Sequence, residues 1–204
     1  MHVLVEGSGW SSGWPQPGCR CASCLRCQAA GDLRERSAIV VDGGLRLGGA
    51  GTEGDAGGFL VRRLPDARDG EARGGWDVTS GGGERLLYPA GPGAVPDPPE
   101  GAAPYHVAFL DMLGEPAQLG RLRARGLVTA DTITVVAFSD HRVSGPRELQ
   151  RRAGFWRVGV PGDGDAITTD RSAAGFEDPG AALRRAPWRV LVLGGARSGK
   201  SERA

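Results

Sequence analysis

The apolar positions of this chain come in short runs broken by glycine and proline, a pattern that predicts strands more readily than helices. Residues 2–6 form the first such run, stopped at Gly7, and predict a strand. Residues 38–42 and 45–47 flank Gly43-Gly44 and predict a hairpin with a two-residue turn. Residues 59–63 predict a further strand. Residues 76–80 and 84–88 predict a second hairpin around Gly81, Gly82 and Gly83. The glycine-, proline- and cysteine-rich residues 7–27 and the Pro/Gly-rich residues 89–104 predict loops. The pattern then changes. Residues 105–110 and the β-branched run 132–138 predict strands, separated by a helix over 115–125 that carries Leu119 and Leu122. A helix over 146–153 starts at Pro146, a residue suited to a first helical turn, and residues 157–160 predict another strand. Hairpins followed by alternating β and α elements predict an α/β or α+β sheet domain.

Composition sharpens this picture. The chain has 204 residues, of which 35 are glycine and 14 are proline; glycine usually makes up only about 7 per cent of a chain. A glycine inside a helix or strand costs roughly 0.5–1 kcal/mol relative to alanine, so most of this excess must sit in turns and loops. No apolar run approaches the ~18 residues that a membrane-spanning helix requires. The opening MHVLVEGSGW has neither the basic nor the apolar region of a secretory leader, so the expectation is a cytoplasmic protein without a membrane span. Charge is nearly balanced, with a formal net of +1, which argues against a general nucleic-acid surface. Basic residues are almost all arginine, and Lys200 is the single lysine, so the position of that lysine carries information.

Residues 168–187 are small, polar and punctuated, and read as a linker. The apolar run 188–193 then leads directly into Gly194-Gly195-Ala196-Arg197-Ser198-Gly199-Lys200-Ser201, a full match to G-x-x-x-x-G-K-[ST]. Glycines let successive backbone N–H groups turn toward phosphate oxygens. In such a loop Lys200 places a point charge on the β/γ-phosphates, and Ser201 holds Mg²⁺. A glycine-rich chain produces Gly-Gly pairs by chance, but chance does not readily place its one lysine between Gly199 and Ser201 after a strand. Only three residues follow Ser201 in the sequence, too few for a Walker-B acid or a nucleoside pocket, so the expectation is the start of a longer unit or a vestigial motif.

Residues 188–204 resemble the opening of the bifunctional adenosylcobinamide kinase/adenosylcobinamide-phosphate guanylyltransferase family, in which a strand runs into G-G-x-R-S-G-K-S and a Glu/Ala-rich helix. Arg197-Ser198 makes the match sharper than a generic phosphate loop. The resemblance implies that Gly194, Gly195, Ala196, Arg197, Ser198, Gly199, Lys200 and Ser201 bind ATP or GTP with Mg²⁺ through Ser201. It also implies phosphorylation of adenosylcobinamide and then GMP transfer to the product. Nucleotide and adenosylcobinamide would be partners of a C-terminal domain absent from this sequence, and this chain alone is expected to perform neither reaction. A phosphate-loop kinase of another pathway is the alternative for this element.

Cys19, Cys21, Cys24 and Cys27 form C-x-C-x-x-C-x-x-C. Thiolates bunched this closely suit tetrahedral Zn²⁺. An unmetallated or vestigial cluster, a disulfide and an iron–sulfur cluster are the other readings. Cys27 or His141, in Ser139-Asp140-His141, supplies the fourth ligand. The stretch from Gly7-Ser8-Gly9 through Gly13-Trp14-Pro15 and Pro17 to Cys24 is similar to a branch of the metallo-β-lactamase fold that includes phosphodiesterases of phosphonate breakdown. In that branch three such cysteines help to hold a structural zinc. Cobinamide kinases commonly carry such a domain at the N-terminus. The hydrolytic motif H-x-H-x-D-H is absent: the chain has 3 histidines, namely His2, His106 and His141, and no two are spaced for it.

The resulting expectation is a degenerate, incomplete, non-hydrolytic metallo-β-lactamase-like sheet domain over 1–167, a linker over 168–187, and the first strand and phosphate loop of a truncated P-loop NTPase-like domain over 188–204. The alternative is a zinc-binding, non-catalytic module for which the phosphate loop is irrelevant. Two other candidates receive plainer readings. Trp10 and Trp14 read as packing over the glycine loop, and Asp163 and Asp165 as a turn rather than a Ca²⁺ site.

Overall fold

Alternation builds the first sheet. In β1 (His2–Gly7) the side chains of Val3 and Val5 are buried while those of His2, Leu4 and Glu6 face outward. β2 (Ala38–Val41) pairs antiparallel with β1 and with β3 (Leu45–Gly48), and β3 pairs with β4 (Gly51–Gly54). β10 (Ala166–Thr168) covers the other edge of β1, giving the order β10-β1-β2-β3-β4. The computed structural model describes residues 1–48, 51–54, 57–68, 70 and 74–169. The phosphate loop Gly194–Ser201, the run 188–193 and all but the first two residues of 168–187 therefore lie outside the described residues; Thr168, the first of them, belongs to β10.

The second sheet has the order β5-β6-β7-β8-β9, from β5 (Phe59–Leu64), β6 (Gly75–Ser80), β7 (Arg85–Pro89), β8 (Val107–Leu110) and β9 (Ile133–Val136). β5, β6 and β7 form an antiparallel meander, whereas β7, β8 and β9 run parallel. Parallel strands are covered on both faces, and here they are. Tyr88, Val107, Phe109 and Val135 pack against Val3, Val5, Ile39, Val41 and Leu47 of the first sheet. Leu87, Ala108, Leu110 and Val136 face the other way, onto Cys24 and Cys27 of α1 (Ala22–Ala30), Leu119 and Leu122 of α2 (Ala117–Ala124), and Leu149 and Ala153 of α3 (Pro146–Trp156). The layers are sheet, sheet and helices, a mixed α/β architecture.

Several local expectations change. Residues 7–27 are a loop only as far as Cys21; Ala22 then opens α1, with the Cys21 thiol accepting a bond from the Cys24 N–H as the N-cap. The β2–β3 turn is centred on Asp42-Gly43, not Gly43-Gly44: both residues have positive φ, 45° and 71°, and Gly44 N–H donates to the Val41 carbonyl at 3.1 Å. Asp-Gly is the pairing that a turn of this hand favours. Residues 157–160 do not form a strand. Arg157 is left-handed at the end of α3 and Pro161 follows Val160, which leaves a single parallel bridge between Gly159 and Val135. β4 and β10 carry too short an apolar signal to predict a strand: β4 reads Gly-Thr-Glu-Gly, and β10 contributes one core side chain, Ile167.

Close backbone approach accounts for part of the glycine excess. At Gly7 a Cβ would overlap the Arg36 carbonyl, and at Gly9 it would lie 2.7 Å from the Glu35 carbonyl oxygen. Here the chain leaving β1 runs against residues 34–36, with Gly9 N–H donating to Glu35 O at 2.8 Å. Among the described residues, no helix is long and apolar enough to cross a membrane.

Candidate metal centre

Three chain segments converge at the N-terminus of α1. Cys19 lies in the turn after Gly18, where its N–H donates to Gln16 O at 3.0 Å. Cys21 caps α1, and Cys24 lies in its first turn. His141 arrives from the loop after β9. Its Nδ1 lies 3.4 Å from Cys19 Sγ and 3.8 Å from Cys24 Sγ. The ligand atoms of Cys19, Cys21, Cys24 and His141 all fall within 4.8 Å of one another.

The fit to zinc can be tested by geometry. Zn–S of ~2.3 Å and Zn–N of ~2.0–2.1 Å place tetrahedral ligand atoms about 3.5 Å apart for S–N and about 3.8 Å apart for S–S. The two S–N separations straddle the first value, and with all four ligand atoms within 4.8 Å of one another the residues fit a Zn²⁺ ion. The donor set also fits, since three thiols and an imidazole are a recurrent combination for structural zinc.

The electrostatics differ from thiol to thiol. The Cys24 N–H, donating at 3.4 Å, is the main influence that lowers the Cys21 thiol below its usual range. Burial pushes Cys24 up to about 11, only partly opposed by the Gln16 backbone N–H. Cys24 is therefore a thiol that ionises when a cation binds against it.

Two hydrogen bonds dock α1 onto the loop that carries His141: Ser23 Oγ donates to Val143 O at 2.7 Å, and Arg26 donates to Ser144 O at 2.8 Å. The loop is also tied to the first sheet, because Ser139 N–H donates to Ser8 O at 2.8 Å. Neither link has a local sequence signature, since the partners lie far apart in the chain.

Of the four cysteines the sequence singles out, the structure brings three together and leaves the fourth aside. Cys27 is buried in the apolar core under α1, where burial raises its thiol pKa. His141 is the fourth member of the cluster. The other two histidines are elsewhere. His106 Nδ1 accepts the Arg85 N–H at 3.0 Å, and His2 is exposed at the start of β1. Trp14 is a core residue, while Trp10 packs edge-on against Phe138 with centroids 6.5 Å apart. Asp163 serves as a staple: its carboxylate accepts from Ser8 N and Oγ and from Glu35 N. Asp165 closes its own turn onto Gly162 N–H at 2.6 Å. A groove of about 570 Å³ beside β5 is lined by Arg62, Arg63, Asp97, Glu100 and Arg125 among others and offers neither thiol nor imidazole.

No protein-family model matches the chain, and no curated protein matches it. Among solved structures, the 1.98 Å crystal structure of Zn²⁺-bound PqqB from Methylobacterium extorquens aligns with a TM-score of 0.47 and 15% identity, over 82% of this chain and 100% of that one.

Proposed function

We propose that residues 1–167 are a zinc-binding, non-catalytic module of the metallo-β-lactamase-like class, in which Cys19, Cys21, Cys24 and His141 hold one structural Zn²⁺. The observation that carries this reading is the convergence of those four ligand atoms from separate segments within 4.8 Å. Four protein ligands complete a tetrahedron and leave no open position for a water nucleophile, the arrangement of a structural site. A two-metal hydrolase needs further imidazoles and carboxylates around an open position, and neither His2 nor His106 belongs to the cluster. When bound, zinc would cross-link the loop before α1 to the loop after β9.

Metal analysis of the purified chain tests the reading. One zinc per chain is expected, lost in Cys19→Ser and Cys24→Ser; unchanged zinc content in both variants would overturn it. Turnover of bis-p-nitrophenyl phosphate by the zinc-loaded protein would overturn the non-catalytic part.

The motif at Gly194–Ser201 supports a second, separable reading. Residues 188–204 would open an adenosylcobinamide kinase/guanylyltransferase domain, with Lys200 and Ser201 serving ATP or GTP and Mg²⁺ and the zinc module as its N-terminal companion. Phosphorylation of adenosylcobinamide by a chain extending past Ala204, abolished by Lys200→Ala, is the expected result; an extended chain that leaves cobinamide untouched would overturn it.

A further inference from the structure

Asp111 and Asp140 follow the adjacent parallel strands β8 and β9, and both are almost fully withdrawn from water, at 0% and 1% exposure. Two carboxylates buried side by side are costly unless hydrogen-bonded and neutralised. Asp111 takes the N–H groups of Gly93, Leu113 and Gly114 at 2.7, 3.2 and 2.8 Å. The positive charge comes from Arg142. Its Nε lies 2.8 Å from Asp140 Oδ2, and its Nη2 lies 2.6 Å from Asp140 and 3.4 Å from Asp111. Trp10 covers the guanidinium, with its ring centroid 4.6 Å from Cζ. The Arg142 backbone is held as well, since its N–H donates to Asp140 Oδ1 at 2.7 Å.

His141 is the residue between the two halves of this clamp. Asp140 before it is pinned by the guanidinium, and Arg142 after it is pinned by both main chain and side chain. We propose that the Asp111–Arg142–Asp140 clamp is the device that presents His141 to the three thiols, with Arg142 as a positioning residue that sets the affinity and ligand set of the centre. The proposal rests on the zinc reading above and deepens it. Gly114 supplies an independent handle: a Cβ there would collide with the Asp111 carboxylate and lie 3.0 Å from Arg142 Nη1, disturbing the clamp without changing any charge.

The test uses Co²⁺ as a spectroscopic probe on the full chain, with hydrogen exchange over residues 139–145 of the metal-free protein as a second readout. Wild-type protein is expected to give the visible bands of a tetrahedral site with three thiolates and one nitrogen. Arg142→Gln and Gly114→Ala are expected to weaken Co²⁺ binding by about 10–100-fold, the range for groups that orient metal ligands. Their spectra should shift toward that of His141→Ala, and exchange over 139–145 should speed up. Arg142→Lys restores the charge without the fork and should recover part of the affinity. A folded Arg142→Gln or Gly114→Ala protein with wild-type affinity, spectrum and exchange would overturn the proposal. Failure of the wild-type protein to bind Co²⁺ or Zn²⁺ would instead overturn the zinc reading, and unchanged exchange in both variants would then overturn the clamp independently.

Discussion

Cys19 Sγ and His141 Nδ1 stand 3.4 Å apart although they lie 122 positions apart in the chain. That pairing joins the loop before α1 to the loop after β9, so a metal between them would tie two distant segments. His141→Ala is therefore expected to lower zinc affinity by more than the ~10–100-fold typical of groups that only orient a ligand, as read by competition with a chromogenic chelator. Cys27→Ser is expected to leave the zinc stoichiometry at its wild-type value. It should instead cost stability, roughly 1–3 kcal/mol, because a hydroxyl replaces a thiol in an apolar core.

Removing the metal should loosen a defined part of the molecule. The convergence of Cys19, Cys21, Cys24 and His141 and the Ser23–Val143 bond lie at one end of the helical layer, whereas the inter-sheet core around Tyr88 and Phe109 makes no use of the centre. Chelation is expected to lower the Tm and to raise amide exchange over 19–27 and 139–145 while leaving β2, β7 and β8 protected. Ligand linkage makes the Tm shift grow with free zinc above its Kd. A Tm independent of chelator and zinc would contradict the assignment.

How much of this was legible in the sequence depends on what each feature rests on. β1 and the strands around Trp76 and Leu86 follow from alternation and glycine punctuation, signals confined to a few neighbouring residues. α2 and α3 follow from Leu119, Leu122 and Pro146 in the same way. The thiol cluster was visible as spacing, and His141 as a histidine just past a β-branched strand. What spacing could not supply was the choice between Cys27 and His141. It turns on α1, whose start at Ala22 depends on the Cys21 thiol acting as a cap, an uncommon use of cysteine. The clamp was invisible for a related reason: Asp111 and Arg142 lie 31 positions apart and meet only because β8 and β9 are neighbours.

The glycine excess has a consequence for stability at the end of β1. Gly7 and Gly9 allow main chain to run against residues 34–36 where a Cβ has no room. Neither has a positive φ, so the cost of substitution is steric rather than conformational. Gly7→Ala and Gly9→Ala are expected to destabilise by about 2–4 kcal/mol, at the upper end of single substitutions, in urea denaturation. Gly31→Ala, at a left-handed helix cap with open space around it, should cost about 1 kcal/mol through backbone conformation alone.

Acid stability should carry the signature of Asp66. Its carboxylate accepts from the Arg68 guanidinium at 2.9 and 3.0 Å and from Val95 N–H at 2.9 Å, and Arg68 is the main cause of a pKa held down to about 2. A folded-state pKa below the unfolded value stabilises the protein above the ordinary carboxylate range, and that stability is lost as pH falls from about 4 toward 2. Asp66→Asn is expected to cost on the order of 1–2 kcal/mol at neutral pH, allowing for an Arg68 that is largely solvent-exposed, and to flatten the stability profile between pH 4 and 2. A wild-type slope in that window would assign the acid sensitivity to other groups.

The seam between the sheets offers the converse case at alkaline pH. Tyr88 OH and Ser37 Oγ lie 2.6 Å apart, and Ser37 Oγ also donates to Ala137 O at 3.0 Å. Ser37 precedes β2 in one sheet, while Tyr88 belongs to β7 in the other. With the serine proton committed to Ala137, the phenol donates to Ser37, so the two substitutions are unequal. Ser37→Ala leaves the Tyr88 hydroxyl buried without a partner and should cost roughly 1–3 kcal/mol, whereas Tyr88→Phe leaves Ser37 still bonded to Ala137 and should cost less on the hydrogen-bonding account. Burial pushes Tyr88 up to about 12. A raised folded-state pKa stabilises fully below the ordinary tyrosine value near 10, and that contribution is lost as pH rises toward 12. Tyr88→Phe should therefore remove part of the alkaline loss, as measured by denaturation midpoints from pH 9 to 11.5. Equal midpoints for Ser37→Ala and Tyr88→Phe at pH 7, together with an unaltered alkaline slope, would contradict this account of the seam.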